Sequence, residues 1–68
     1  MSKRVSLRTM VKRRRTELGM TQAALAQKVG VTKQYITMLE RGKHRTPSLP
    51  TLRKLAKALG VPVTELLG

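Results

Sequence analysis

TKQYITMLE, residues 32–40, is the stretch on which the reading of this chain turns. Set on a helix at about 100° per residue, Ile36 and Leu39 share one face and can bury against the rest of the domain. Lys33, Gln34, Thr37, Met38 and Arg41 fall on the opposite arc, with Tyr35 and Glu40 at its borders. That arc carries two cations, an amide, a hydroxyl and a thioether, and no acid. A solvated polar face is the commonplace explanation of such a helix. A DNA major groove is the specific one, because phosphates line its rim while hydrogen-bonding edges and thymine methyls line its floor.

The flanking sequence favours the specific explanation. Thr32 is placed to cap this helix, and Thr21 to cap a preceding one over residues 22–29, in which Leu25, Ala26 and Val29 point inward. Gly30 permits a left-handed turn between them, and Val31 buries as the chain reverses. Two short helices joined by a glycine-containing turn of three or four residues form a helix-turn-helix, here residues 21–41. Ala26 is small enough to let the two helices cross closely.

Upstream, residues 1–5 with Lys3 and Arg4 read as a flexible basic arm. Ser6 then caps a first helix running to about Leu18, where Gly19 ends it. Its inward stripe is Leu7, Met10, Val11 and Leu18, and the helical spacing forces Arg14 or Arg15 into the gap at the intervening turn. The rest of the KRRR run, residues 12–15, spreads over a solvated surface. Downstream, Gly42 closes the third helix and opens the loop KHRTPS. Ser48 caps a fourth helix with Pro50 in its first turn, Leu52, Leu55, Ala56 and Leu59 as its stripe, and Gly60 at its end. Pro62 begins a short fifth helix through Leu66 and Leu67. Residues 6–68 therefore read as one all-α domain, a compact five-helix bundle.

Composition bounds what such a bundle can do. The 68 residues contain no cysteine, one histidine (His44) and one aromatic residue (Tyr35), so neither a disulfide framework nor a clustered metal site is available. The core must be aliphatic. Fifteen lysines and arginines face three acids, Glu17, Glu40 and Glu65, for a formal charge of +12. A domain this basic repels itself, and a polyanion is the usual remedy. An anionic membrane surface is the weaker choice, since the basic helices are interrupted by turns and lack tryptophan and phenylalanine. No apolar run approaches a membrane span and no signal peptide opens the chain, so a cytoplasmic address is expected. An enzyme is not expected: without aspartate or cysteine, one histidine and three scattered glutamates assemble no acid–base pair or nucleophile relay.

The run from Leu18 to Leu67 resembles the Cro and phage-repressor type of helix-turn-helix domain, also called the XRE family. The residues that carry the resemblance are Thr21-Gln22, Leu25-Ala26, Gly30-Val31-Thr32, Ile36, Leu39-Glu40, Gly42, Pro47-Ser48-Leu49 and the run 55–61. It implies a lambda-repressor-like fold that binds a palindromic operator in double-stranded DNA as a homodimer, with no cofactor, metal or small-molecule ligand. By position, Thr21, Gln22 and Thr32 match phosphate contacts, and Lys33, Gln34, Thr37 and Met38 match the base-reading set, with Thr37 between the others near the backbone. Lys43, His44, Arg45 and Thr46 match the loop lining the sugar-phosphate chain. Met38 departs from the polar residue common in phage repressors and suits a thymine methyl. Arg15 and Glu40 match an ion pair between the first and third helices, and Leu66, Leu67 and residues 57–63 are the candidate dimer surface, with the core of the chain itself as the other place for Leu66.

A sequence-specific transcriptional regulator, repressing by operator occupancy, is the expected function. An antitoxin-type regulator of a toxin–antitoxin operon, which would also bind a protein toxin, is the alternative. An RNA binder or nonspecific chromosome coater fits less well, because stacking aromatics are nearly absent.

Overall fold

The computed structural model describes residues 6–43 and 47–66. The basic arm at residues 1–5, the loop residues His44, Arg45 and Thr46, and Leu67 lie outside the described residues. Five helices follow one another: α1 (Leu7–Glu17), α2 (Gln22–Val29), α3 (Lys33–Glu40), α4 (Leu49–Leu59) and α5 (Val63–Leu66). The described residues contain no strand, and none of their helices is long and apolar enough to cross a membrane.

The apolar spacing determines which faces turn inward. Leu25, Ala26 and Val29 from α2, Ile36 and Leu39 from α3, and Leu52, Leu55, Ala56 and Leu59 from α4 are all buried. They meet Met10 and Val11 of α1 and Leu66 of α5 in one aliphatic cluster. Ala26 is 3 % exposed, and α2 packs against both α3 and α4. Val31 is half-buried against this cluster as the chain turns.

Four details differ from the sequence expectations. Leu18 is exposed rather than part of the α1 stripe, because it is the C-cap residue, outside the helical turns that would have carried it inward. Met20, two residues later, packs against the core instead. Ser6 and Ser48 stand at N-cap positions in extended backbone, but neither side chain accepts from a backbone N–H. Each faces a threonine hydroxyl three residues on, Thr9 at 3.0 Å and Thr51 at 3.1 Å, which competes for the cap. The KRRR run is not uniformly solvated: Arg14 and Arg15 are half-buried, whereas Lys12 and Arg13 are exposed. Leu66 is 3 % exposed within its own chain, so it belongs to the monomer core and not to a dimer surface.

The helix ends are closed by backbone. Gly30, at φ 85°, adopts the left-handed conformation that lets α2 stop after eight residues and α3 begin three residues later. Its N–H and that of Val31 both donate to the Ala26 carbonyl, at 2.8 and 3.0 Å. Arg14 closes α4 from outside, its Nε donating to the Leu59 carbonyl at 2.8 Å, where a cation also complements the helix dipole.

The contrast between two leucines tests this packing. Leu55→Ala, at a fully buried position, is expected to lower stability by about 2–5 kcal/mol. Leu18→Ala should stay within about 0.5 kcal/mol. Urea unfolding of the two variants checks both, and comparable losses would contradict the placement of Leu18.

Candidate nucleic-acid interface

Most of the outer arc of α3 is presented to solvent. Lys33, Gln34 and Arg41 are exposed, and Met38 is 37 % exposed. Ile36 and Leu39, buried on the opposite side, hold the helix to the core. Thr32 caps α3, its Oγ1 accepting from the Tyr35 N–H at 3.0 Å, and Thr21 caps α2 in the same way from the Ala24 N–H, also at 3.0 Å. Such a cap uses a lone pair of each hydroxyl and leaves its proton free to donate. The first N–H groups of each helix, those of Gln22 and Ala23 and of Lys33 and Gln34, have no intrahelical acceptor by the geometry of a helix start. Each helix start thus offers a hydroxyl proton, open N–H groups and the positive end of a dipole, a combination suited to a phosphate oxygen.

Beneath this surface a polar chain links three helices. Arg15 of α1 grips Glu40 of α3 with two bonds, Nε to Oε2 at 2.6 Å and Nη2 to Oε1 at 3.0 Å. Its Nη1 donates to the Met20 carbonyl at 2.7 Å. The side chains are only 11 % and 4 % exposed, so this pair is largely shielded from water. The hydrogen bonds to Glu40 hold the Arg15 guanidinium above its ordinary range, although desolvation works against them.

Gln22 of α2 extends the chain. Its Nε2 donates to Glu40 Oε1 at 3.0 Å, and its Oε1 accepts from Thr37 Oγ1 at 2.8 Å. A carboxylate can only accept, so the amide nitrogen must face Glu40 and the amide oxygen must face Thr37. One amide proton of Gln22 remains uncommitted. The Thr37 hydroxyl also lies 3.1 Å from the Lys33 carbonyl, and its single proton is shared between the two acceptors. Thr37 is half-buried, and its hydroxyl is turned to this chain rather than held on the solvent arc with Lys33, Gln34 and Met38.

Gln22 is the residue whose connections sequence reasoning missed. It lies 18 residues from Glu40 and 15 from Thr37, and no local periodicity relates those positions. Lys43 is exposed just beyond α3, its N–H donating to the Met38 carbonyl at 2.9 Å. That bond belongs to the turn at Gly42, whose φ of 71° closes the helix and directs the loop. His44, Arg45 and Thr46, the remaining loop candidates, fall outside the described residues. Among the described residues, no group of three or more His, Cys, Asp or Glu is placed to hold a metal.

The family model for helix-turn-helix proteins matches residues 11–66. An uncharacterised HTH-type transcriptional regulator of Methanothermobacter thermautotrophicus is 48 % identical over 54 residues, covering 79 % of this chain and 77 % of its own. The regulator SinR of Bacillus subtilis is 39 % identical over 57 residues, covering 84 % of this chain and 51 % of its own. A crystal structure of SinR, the master regulator for biofilm formation, in complex with DNA superposes with a TM-score of 0.84 at 35 % identity. That match covers 91 % of this chain and 98 % of the SinR chain. The P22 c2 repressor bound to a synthetic operator also gives 0.84, at 32 % identity, over 91 % of this chain and 92 % of the other.

The buried pair has a measurable consequence. Glu40→Gln removes one charge from a shielded, fully bonded pair and should cost about 3–5 kcal/mol. Glu17→Gln touches only an exposed contact to Arg14 at 3.3 Å, where about 0–1 kcal/mol is expected. Equal denaturation midpoints for the two variants would contradict this reading of Glu40.

Proposed function

The chain belongs to the helix-turn-helix family, and from that premise we propose that it is a sequence-specific double-stranded DNA-binding transcriptional regulator, a repressor acting by operator occupancy. The observation that carries this reading is the acid-free outer arc of α3, held rigid from behind and flanked by two open helix N-termini. The DNA-bound SinR and the operator-bound P22 c2 repressor, which share the fold over nine-tenths of this chain, support it. The antitoxin alternative draws no support from these relatives, which are regulators and repressors. A cytoplasmic address accords with a DNA-binding function.

In this reading α3 lies in the major groove, with Lys33, Gln34 and Met38 at the base edges. Gln34 suits adenine, whose N6 and N7 offer the donor and acceptor that a side-chain amide complements. Met38 suits a thymine methyl, and Lys33 suits guanine or the adjacent backbone. Thr21, Thr32, the free amide proton of Gln22 and the exposed Lys43 take phosphates, joined by His44, Arg45 and Thr46 of the loop. Thr37 contributes from behind the arc by holding Gln22, and Arg15 with Glu40 holds both. One such helix reads only a few base pairs, so a homodimer on a palindrome, with two α3 helices about 34 Å apart, supplies the rest. With Leu66 inside the core, the surface left for pairing is that of residues 57–63, together with Leu67.

Selection of bound sites from random duplex DNA tests the function directly. A palindromic consensus is expected, and recovery of unrelated sequences would overturn the reading. Binding that stays one chain per palindrome, with a single protected half-site, would overturn the dimer. Two variants separate base reading from phosphate holding. Gln34→Ala should cost about 1–3 kcal/mol on the preferred site and relax the choice at one base pair, with the salt dependence unchanged. Lys43→Ala should weaken all duplexes alike and lower the slope of log K against log salt by about one unit. Affinities for selected and scrambled duplexes at several salt concentrations decide between these outcomes.

A further inference from the structure

Lys28 and Lys54, which the operator reading leaves unused, and Lys57, at the edge of the candidate pairing surface, surround one hollow. Lys28, in the last turn of α2, and Lys54 and Lys57, one turn apart on α4, line an open depression of about 610 Å³ together with Gln27, Val29 and Ala58. All three lysines are exposed, and no acid lines the depression. Of the three acids, Glu17 and Glu40 are engaged by Arg14 and Arg15, and Glu65 is exposed on α5, outside the lining of the depression. Like charges gathered without a counter-charge create a local positive potential that a polyanion relieves.

The chemistry of the lining selects among polyanions. Lysine ammonium groups are compact point charges, and the depression has no arginine fork for bidentate recognition of a carboxylate. Its apolar part is limited to Val29 and Ala58, without the aromatic or large side chain that anchors a protein partner. It has no aromatic platform for unpaired bases either. A duplex phosphate backbone needs none of these, because its contacts are electrostatic and independent of sequence.

The hollow lies at the end of α2 away from its operator-facing start, with Gly30 of its lining two residues before Thr32. Lys28 lies about 10 Å along α2 from Thr21, the end assigned to the operator. Lys54 and Lys57 occupy the middle and latter part of α4, beyond the loop and helix start that follow α3. We propose that Lys28, Lys54 and Lys57 bind the backbone of a second DNA duplex, so that one domain joins two segments of DNA. That the duplex is a second one rests on the assignment of α3 to the operator; the affinity of the hollow for a duplex does not.

A capture experiment with the full chain tests this. One duplex carrying the selected site is tethered, and retention of a fluorescent duplex of scrambled sequence is measured across a salt series. The unaltered chain should retain the fluorescent duplex. Lys28→Gln with Lys54→Gln should lower retention at least about fivefold and reduce its salt slope by about two units, one for each lost phosphate contact. Affinity for the tethered duplex should stay within about twofold. The charge-matched variant Lys12→Gln with Arg13→Gln, on α1, should still retain the second duplex. No retention by the unaltered chain, or equal losses in both variants, would overturn the proposal. Retention that survives Lys28→Gln with Lys54→Gln would assign bridging to pairing between chains and overturn it as well. Loss of tethered-duplex affinity in step with retention would place the hollow on the operator duplex itself, with the same consequence. Running the assay with scrambled duplex in both roles reads the hollow even where no preferred site exists.

Discussion

The bidentate bond between Arg15 and Glu40 sets the geometry on which the other polar contacts of the domain depend. It joins α1 to α3, and Glu40 in turn fixes Gln22 at the start of α2, which fixes Thr37 on α3. Each bond leaves the next partner one orientation. A carboxylate shielded from water must have its oxygens satisfied, and here the guanidinium and the Gln22 amide do so together. Desolvation offsets much of the attraction within such a pair, and an apolar pair of similar volume can stabilise a fold as well. An apolar pair has no direction, however, and would leave Gln22 and Thr37 without the partners that orient them.

The helices carrying this chain are too short to persist alone. α2 and α3 have eight residues each, well below the length at which an isolated helix holds in water. Threonine caps at their starts and glycine turns at their ends satisfy backbone groups that would otherwise favour unfolding. The remaining stabilisation comes from an aliphatic core to which all five helices contribute. With no cysteine in the chain, and at a size where many domains need a staple, that core and the Arg15–Glu40 pair act without a disulfide.

The positive charge divides into structural and surface portions. Arg14 and Arg15 are turned inward, one to the end of α4 and the other to Glu40. Most of the other described cations are exposed, on α1, on α3 and its exit, and around the hollow between α2 and α4. These surface charges repel one another in the free protein, and bound phosphates remove that repulsion along with the condensed counterions. In the proposed function α3 and the surface charges serve different ends: α3 discriminates between bases, and the release of counterions supplies affinity.

Helix number, core faces and the location of α3 were legible in the sequence because each depends on neighbours within a few residues. Leu52, Leu55, Ala56 and Leu59 declare their common face by spacing alone, and Thr21, Thr32, Gly30 and Gly42 mark helix ends by local chemistry. Leu18 shows where that reasoning fails, since periodicity cannot tell on which residue a helix stops. Leu66 shows another limit: an apolar residue near a chain end looks the same whether it meets its own core or a partner. Arg15 already had Glu40 as its expected partner from the family resemblance, and the pair forms as expected, whereas Arg14 looked like surface charge until the approach of α4 gave it the Leu59 carbonyl. Gln22 resembled a phosphate contact, but its ties to Glu40 and Thr37 arise from helices brought together across 18 and 15 residues. The gathering of Lys28, Lys54 and Lys57 has the same origin, because sequence separation carries no information about which exposed lysines will share a hollow. Local patterns therefore determined the elements, and tertiary packing, acting between residues distant along the chain, decided which polar groups meet.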